Sequence, residues 1–212
     1  MKLTMRTIPM LLVLLFGGVS LASAQGVSAY FGLGTATDKA NRAVNDFANG
    51  FNDSGGPSMG GVFGKFGADF MVNPHLGVGG EYTFRFAQDT YFANEGLNYR
   101  PTFYDFNAIW HPVSGTRIVP EIQGGLGGAD IKFYVTGQSC ATNISCNSQS
   151  AFLQSSNHFQ LHGGIGVRLY VKGNIYVRPQ FDIHWVPNLT NEFGRTWVPE
   201  YGVVVGYTFG TR

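Results

Sequence analysis

Few residues in this chain are of the types that do chemistry. Five histidines, two cysteines and 13 acidic residues stand among 212. His162 and His184 have the most suggestive spacing. Counting outward from a tight turn at Gly173, with Val171 set against Ile175, places them directly across from each other, with Asp182 diagonal to both strands' contact. Two imidazoles beside a carboxylate suit a metal or a proton-sensing site, because imidazole changes charge near neutral pH. The plainer reading, a polar pair held by its neighbours, is favoured, and no metal or other cofactor is expected. Cys140 and Cys146 lie in one polar stretch. In an oxidising compartment they are expected to pair, closing a loop worth roughly 2 kcal/mol. Gly56-Pro57-Ser58-Met59-Gly60 matches the spacing of a nucleophile elbow. It lacks the preceding apolar strand and following helix that would expose the serine, so the match is chance. Asn143-Ile144-Ser145 and Asn188-Leu189-Thr190 match glycosylation sequons, a short pattern that carries no chemistry of its own. Phosphate-loop, HExxH and dinucleotide fingerprints are missing, and the chain reads as no enzyme.

The elements that position these residues begin with a targeting segment. Lys2 and Arg6 precede an apolar run from Ile8 to Leu21, and Ala22-Ser23-Ala24 ends it in small residues. This is the pattern of a secretory signal peptide over residues 1–24, cleaved before Gln25. No later stretch is apolar for the length of a transmembrane helix, so a membrane-embedded chain would have to cross by strands. Charged residues make up only 13% of the chain, about half the usual share for a soluble domain. Aromatics reach 15% and glycines number 30. Removing Lys2 and Arg6 from the 14 basic residues leaves 12 against 13 acidic ones. That near-neutral balance excludes a nucleic-acid partner, which calls for a basic face.

Eight segments alternate with period two: Val27 to Thr35, Val62 to Val72, Leu76 to Ala87, Thr102 to His111, Ile118 to Ala129, Phe159 to Val171, Ile175 to Val186 and Trp197 to Phe209. Each is near the roughly 9–11 residues that a tilted strand needs to cross a bilayer. Long connectors (36–61, 88–101, 130–158 and 187–196) alternate with short ones (73–75, 112–117 and 172–174). Long loops at one end and tight turns at the other are the asymmetry of an outer-membrane barrel. The predicted fold is therefore all-β: a single eight-stranded antiparallel up-and-down transmembrane barrel over residues 25–212. Pro120 and Pro179 interrupt two strands, and bulges are expected there.

The two faces differ sharply. One is apolar, with Phe66, Val78, Phe106, Ile122, Ile165 and Val205 among its members and no charged residue. The other carries Lys65, Asp69, Glu81, Arg85, Asp105, Glu121, Arg168, Arg178, Asp182 and Glu200, together with many glycines. A soluble lipocalin-like barrel would turn the apolar face inward. Low total charge, glycine on the polar face and aromatics at both ends of the apolar face favour lipid outside and a polar lumen. Counting from the turn at 73–75 sets Lys65 opposite Thr83, with Glu81 and Arg85 diagonal to it. Arg168 and Arg178 fall opposite each other and need carboxylates, with Glu121 and Glu200 as candidates. A lumen network centred on Lys65, Glu81, Arg85, Glu121, Arg168, Arg178 and Glu200 is expected.

The mature chain resembles the small outer-membrane β-barrel family that includes the OmpA membrane domain and OmpX. The signal peptide, the strand Gly77-Val78-Gly79-Gly80-Glu81-Tyr82 and the closing strand Tyr201-Gly202-Val203-Val204-Val205-Gly206-Tyr207-Thr208-Phe209 carry the resemblance. It implies outer-membrane lipid and the barrel assembly machinery as partners, with a closing Phe as the insertion signal. Here Gly210-Thr211-Arg212 follow Phe209. Lipid A deacylating barrels carry a Ser two residues after a His, whereas His184 is followed by Trp185 and Val186. The expected role is a monomeric structural or surface-exposed protein whose long loops are available to an extracellular ligand. The alternative is a narrow channel for small solutes. Eight strands leave an interior just wide enough for side chains to fill, which argues for a plugged lumen.

Overall fold

A strand with one apolar and one polar face satisfies neither in isolation, and in lipid every backbone amide must also find a partner within the protein. Closing the sheet on itself meets both demands. The computed structural model describes residues 26–37, 59–92, 96–142 and 145–210. The strands are β1 (Gly26–Ala36), β2 (Phe63–Met71), β3 (Leu76–Arg85), β4 (Asp89–Phe92), β5 (Leu97–Trp110), β6 (Ile118–Thr142), β7 (Ser145–Lys172), β8 (Ile175–Trp185) and β9 (Trp197–Phe209). All pairings are antiparallel. Chain neighbours pair throughout, β3 skips β4 to pair with β5, and β1 closes on β9 through Val27↔Phe209 to Ala36↔Glu200. The result is a ring of eight strands, with β4 a side strand on the outer extension of β5. Among the described residues no helix is long and apolar enough to cross a membrane, which says nothing against crossing by strands. The proposed signal peptide lies outside the described residues.

The main departure from the sequence reading is at the long-loop end. The segment 130–158 is a continuation of β6 and β7, which run 25 and 28 residues. These lengths exceed by more than twofold the roughly 11 residues that a bilayer crossing needs, so the hairpin stands well beyond the ring. Its alternation is masked in the sequence by serines and threonines, which read as loop but tolerate a strand. A bulge between Phe133 and Tyr134 leaves Leu153 without a ladder partner. The segment 88–101 supplies β4 and the start of β5, and 187–196 forms a 3-10 turn (Pro187–Leu189) followed by the single helical turn α1 (Thr190–Phe193).

The prolines need correction. Pro120 pairs with Val167 and Pro179 with Val203 in unbroken register. The β7–β8 ladder merely lapses between Gly166↔Gln180 and Leu169↔Val177 and resumes with the same offset. A proline costs the barrel one donor here and no extra residue. The bulge in β8's neighbourhood lies instead at the turn, between Tyr170 and Lys172, so that Lys172 rather than Val171 pairs with Ile175. Gly173 takes φ 54° in that turn, a left-handed conformation that other residues resist.

Burial decides the orientation of the faces. All ten charges named on the polar face are buried, while Phe31 and Phe106 are 69% and 70% exposed. A soluble barrel would have the opposite arrangement. At the rims, Trp185 and Trp197 pair across β8 and β9 at the long-loop end, and Tyr207 and Phe209 meet at the other. Such paired rings suit the two membrane interfaces.

Two outcomes follow. Phe106→Arg, in the middle of the apolar belt, should lower stability by about 2–4 kcal/mol in liposome unfolding titrations. Cys140 and Cys146 are direct partners in the β6–β7 ladder, and their side chains lie outside the described residues. They should resist thiol labelling until reduced, and a double Cys→Ser variant should still fold, as judged by heat-modifiable gel migration.

Candidate functional site

A closed ring points alternate side chains inward, and those side chains arrange themselves in layers along the axis. Nearest the short-turn end, Glu121 on β6 accepts from two guanidiniums. Arg168 Nε reaches its Oε2 at 2.5 Å and Arg178 Nη1 reaches its Oε1. Asp69 on β2 takes Arg168 Nη2 at 2.6 Å, and Ser28 accepts from Arg168 Nη1 at 3.1 Å. His111 Nε2 lies 2.9 Å from Glu121 Oε2. The ring faces of Tyr176 and Tyr30 cover the guanidiniums of Arg168 and Arg178, at 5.0 and 4.2 Å. Two like charges level with each other are thus held by one shared carboxylate and two aromatic faces. Room for them comes from glycine: a Cβ on Gly206 would stand 2.4 Å from the Tyr176 ring.

One layer up, Lys65 Nζ meets three carboxylates, Asp182 at 2.6 Å, Glu81 at 2.9 Å and Glu200 at 3.0 Å. Gln180 donates to Asp182 at 2.7 Å and to Glu81 at 3.2 Å, tying this layer to Arg178, whose Nε donates to Gln180 Oε1. Glu200 therefore serves Lys65 and His184 rather than an arginine. Arg85 also departs from the expected network. It sits a level above Lys65, where β3 ends, and its guanidinium turns to Asp89 at 2.8 Å.

The third layer contains Asp105, His162 and His184, whose candidate ligand atoms all lie within 4.8 Å of one another. The imidazoles of His162 and His184 are cross-strand partners and stack with centroids 5.0 Å apart. Asp105 reaches them from β5, across β6, because Gly125 and Gly127 on β6 stand between Asn107 and His162 and between Asp105 and Gln160. A Cβ at Gly125 would fall 1.9 Å from the Phe106 carbonyl oxygen. Bare backbone lets Asn107 Oδ1 meet His162 Nδ1 at 2.8 Å and Gln160 Nε2 donate to Asp105 Oδ1 at 2.5 Å.

Above this layer the lumen is closed by apolar residues. Met59, Phe63, Tyr99, Phe103, Ile131, Val186, Leu189 and Val198 are each fully buried, and Phe193 nearly so. The turn before β9 lowers Leu189 and Phe193 into the mouth. Tyr91 packs on Tyr99, Phe133 and Phe193 with centroids 5.1–5.8 Å apart, and its hydroxyl donates to the Glu192 carbonyl at 2.9 Å. Burial, helped by the Glu192 carboxylate, pushes the Tyr91 phenol up to about 12. Ser156 Oγ donates to Glu192 Oε1 at 2.6 Å, anchoring the stopper to the β7 extension. Sequence reading missed this stopper because half of it comes from segments taken as loops. Ile131 and Phe133, alternating with Lys132 and Tyr134, were the available signal.

The buried charges do not balance. Three cations (Lys65, Arg168 and Arg178) face six carboxylates (Asp69, Glu81, Asp105, Glu121, Asp182 and Glu200), and Arg85 at the rim pairs with Asp89, so carboxylates outnumber lysines and arginines. Asp105 is the carboxylate of this set without a lysine or arginine within ion-pair distance among the described residues. Ser58 of the elbow-like motif lies outside the described residues, and so does Asn143.

A family model described as "Outer membrane protein beta-barrel domain" matches residues 10–209. No curated protein matches the chain in sequence. Among solved structures, the chain is similar to Neisserial surface protein A, with 13% identity and a TM-score of 0.58 over 86% of this chain and 97% of that one. It is similar also to Ail, the attachment invasion locus protein of Yersinia pestis in complex with the heparin analogue sucrose octasulfate. That likeness has 14% identity and a TM-score of 0.50 over 87% of this chain and 99% of that one.

Glu121→Ala would leave two buried guanidiniums short of their shared acceptor. The expected loss is roughly 3–5 kcal/mol in urea unfolding titrations, against a far smaller effect for the lipid-facing Val205→Leu. A Glu121→Ala barrel as stable as the parent would mean that the lower lumen is well hydrated.

Proposed function

The chain belongs to the outer membrane protein beta-barrel domain family and resides in the bacterial outer membrane, in contact with its lipid; from that premise we propose that it is a surface-display barrel, with a lumen that serves as scaffold and a projecting hairpin that meets partners outside the cell. The observation that carries this reading is the double closure of the lumen. An apolar stopper fills the mouth, and a continuous ionic layer spans the interior below it. A solute would have to displace both, breaking buried charge pairs and an aromatic cluster in sequence. Among the described residues, the part with size and exposure enough for recognition is the β6–β7 extension. Phe152 and Leu153 are 60% and 55% exposed there, well beyond the aromatic rim at Phe159 and Trp197. Large apolar side chains exposed together on a two-stranded arm beyond the membrane belt suit a contact surface.

The Ail structure contains a sulfated sugar analogue. The mouth of this barrel mixes Arg85 with Asp89 and Lys132 with Asp130, so its charges are largely paired off. An apolar or mixed protein surface suits the arm better than a polyanion does.

Two measurements test the proposal. An epitope inserted between Thr142 and Ser145 should be reached by antibody on intact cells. Purified protein in planar bilayers should show no stable conductance of porin size, even when Leu189→Ala and Phe193→Ala weaken the stopper. A steady open pore in the unmodified protein would overturn the scaffold reading in favour of a channel.

A further inference from the structure

We propose that Asp105, His162 and His184 form a buried binding site for a divalent transition-metal ion of the zinc and cobalt class. The first ground is where the unpartnered atoms lie. Asp105 Oδ2, His162 Nε2 and His184 Nδ1 are buried side-chain atoms without a hydrogen-bond partner. His184 Nδ1 stands 3.9 Å from Asp105 Oδ2, and the stacked rings bring His162 against the same spot. Orphaned polar atoms are costly one at a time. Three converging from β5, β7 and β8 are poorly explained as packing faults.

The second ground is what holds the other atom of each side chain. Gln160 donates to Asp105 Oδ1 and leaves Oδ2 free. Glu200 Oε2 lies 3.2 Å from His184 Nε2; an ionised carboxylate only accepts, so a proton sits on Nε2 and Nδ1 is the nitrogen left to face a ligand. Asn107 Oδ1 accepts from His162 Nδ1 and leaves the Nε2 lone pair free. That Nε2 lies 3.4 Å from Asp182 Oδ1, longer than a hydrogen bond, so it is within reach of a bound ion. Each candidate ligand is thus oriented by a neighbour on its far side, the supporting shell that metal-binding histidines and carboxylates ordinarily have. Two imidazoles and one carboxylate, with further positions open, are a recognised ligand set for borderline divalent metals.

The third ground is charge. The described lumen carries more carboxylates than lysines and arginines, and Asp105 is the one left without either. A divalent ion at this point would offset most of that excess. Phe103 stacks on His184 with centroids 4.6 Å apart and lies under the apolar stopper, which keeps water from the site. Because that route is closed, the ion would enter as the barrel folds and would then exchange slowly.

The test is refolding of the full mature chain into detergent with Co²⁺, followed by removal of loosely held metal. Folded wild-type protein should retain the ion stoichiometrically, show visible absorption bands of cobalt bound to nitrogen and oxygen, and melt at a higher temperature than protein refolded with chelator. Asp105→Asn keeps the Gln160 contact and should lose both the bands and the metal-dependent shift. His184→Gln should do the same, and Asn107→Ala should weaken binding roughly 10–100-fold. His75→Asn, at a turn outside the lumen, should change nothing. If wild-type protein, shown to be folded by heat-modifiable migration, takes up no cobalt, the extra charge is met by protons on the imidazoles and the metal site is wrong. Retention of the bands by a folded Asp105→Asn or His184→Gln barrel would refute it equally.

Discussion

Glu121, Lys65 and the carboxylates around them sit where water is scarce, inside a ring whose outside is lipid. A charged side chain in such a place is tolerable only if its partner is held at hydrogen-bond distance, and most of the architecture can be understood as meeting that condition. Arg168 and Arg178 share Glu121, while Lys65 gathers Glu81, Asp182 and Glu200 from three other strands. The Arg178–Glu121, Lys65–Asp182 and Lys65–Glu200 contacts tie together strands that are not neighbours in the backbone ladder. The ionic layer therefore braces the ring across its interior, much as a core does in a soluble protein, but with direction as well as contact. Shifting one strand by a residue would turn its charges toward lipid, so the same residues that stabilise the barrel also specify its register.

Space is the second constraint. Eight strands enclose too little room for arginines and tyrosines from every side, and glycine supplies what is missing. Gly206 makes way for Tyr176, and Gly125 and Gly127 open β6 so that Asn107 and Asp105 can reach His162 and Gln160 over it. Polar contacts across a skipped strand are a consequence of leaving those two positions bare. Toward the mouth the character of the filling changes from charged to apolar, with Phe103 at the boundary between His184 and the stopper. This change matches the environments at hand: the middle of the barrel holds polar groups that satisfy one another, and the mouth must exclude water without a lipid wall around it.

Under the proposed surface-display role, a filled lumen leaves recognition to the exterior. The β6–β7 arm continues the sheet past the mouth and displays Phe152 and Leu153. The same arm is tied back to the stopper through Ser156 and Glu192. Contact on the arm and closure of the mouth are therefore mechanically joined, although neither opens a path through the ionic layer.

Much of this was legible in the order of residues alone. Period-two alternation located all eight ring strands, because a strand that faces lipid on one side and a polar lumen on the other must alternate. The turn length at 73–75 set the offset Lys65↔Thr83, because a tight hairpin leaves its strands little freedom to slip; the offset His162↔His184 also holds, but only because a bulge between Tyr170 and Lys172 makes up for a turn one residue tighter than counted. The limits of that reasoning are equally physical. Hairpin counting reaches only adjacent strands, so Glu121 between two arginines, Lys65 beside Glu200 and Asp105 beside the histidines depended on closure of the whole ring. The serine-rich 130–158 segment has weak local preference and became strand because two long partners could zip onto an existing sheet. Arg85 follows Asp89 rather than Lys65 because its height on β3, fixed by the stagger of the closed barrel, puts it at the rim. Sequence determined which face of each strand is polar; tertiary closure decided which polar residues meet, since distances across a barrel depend on all eight registers at once.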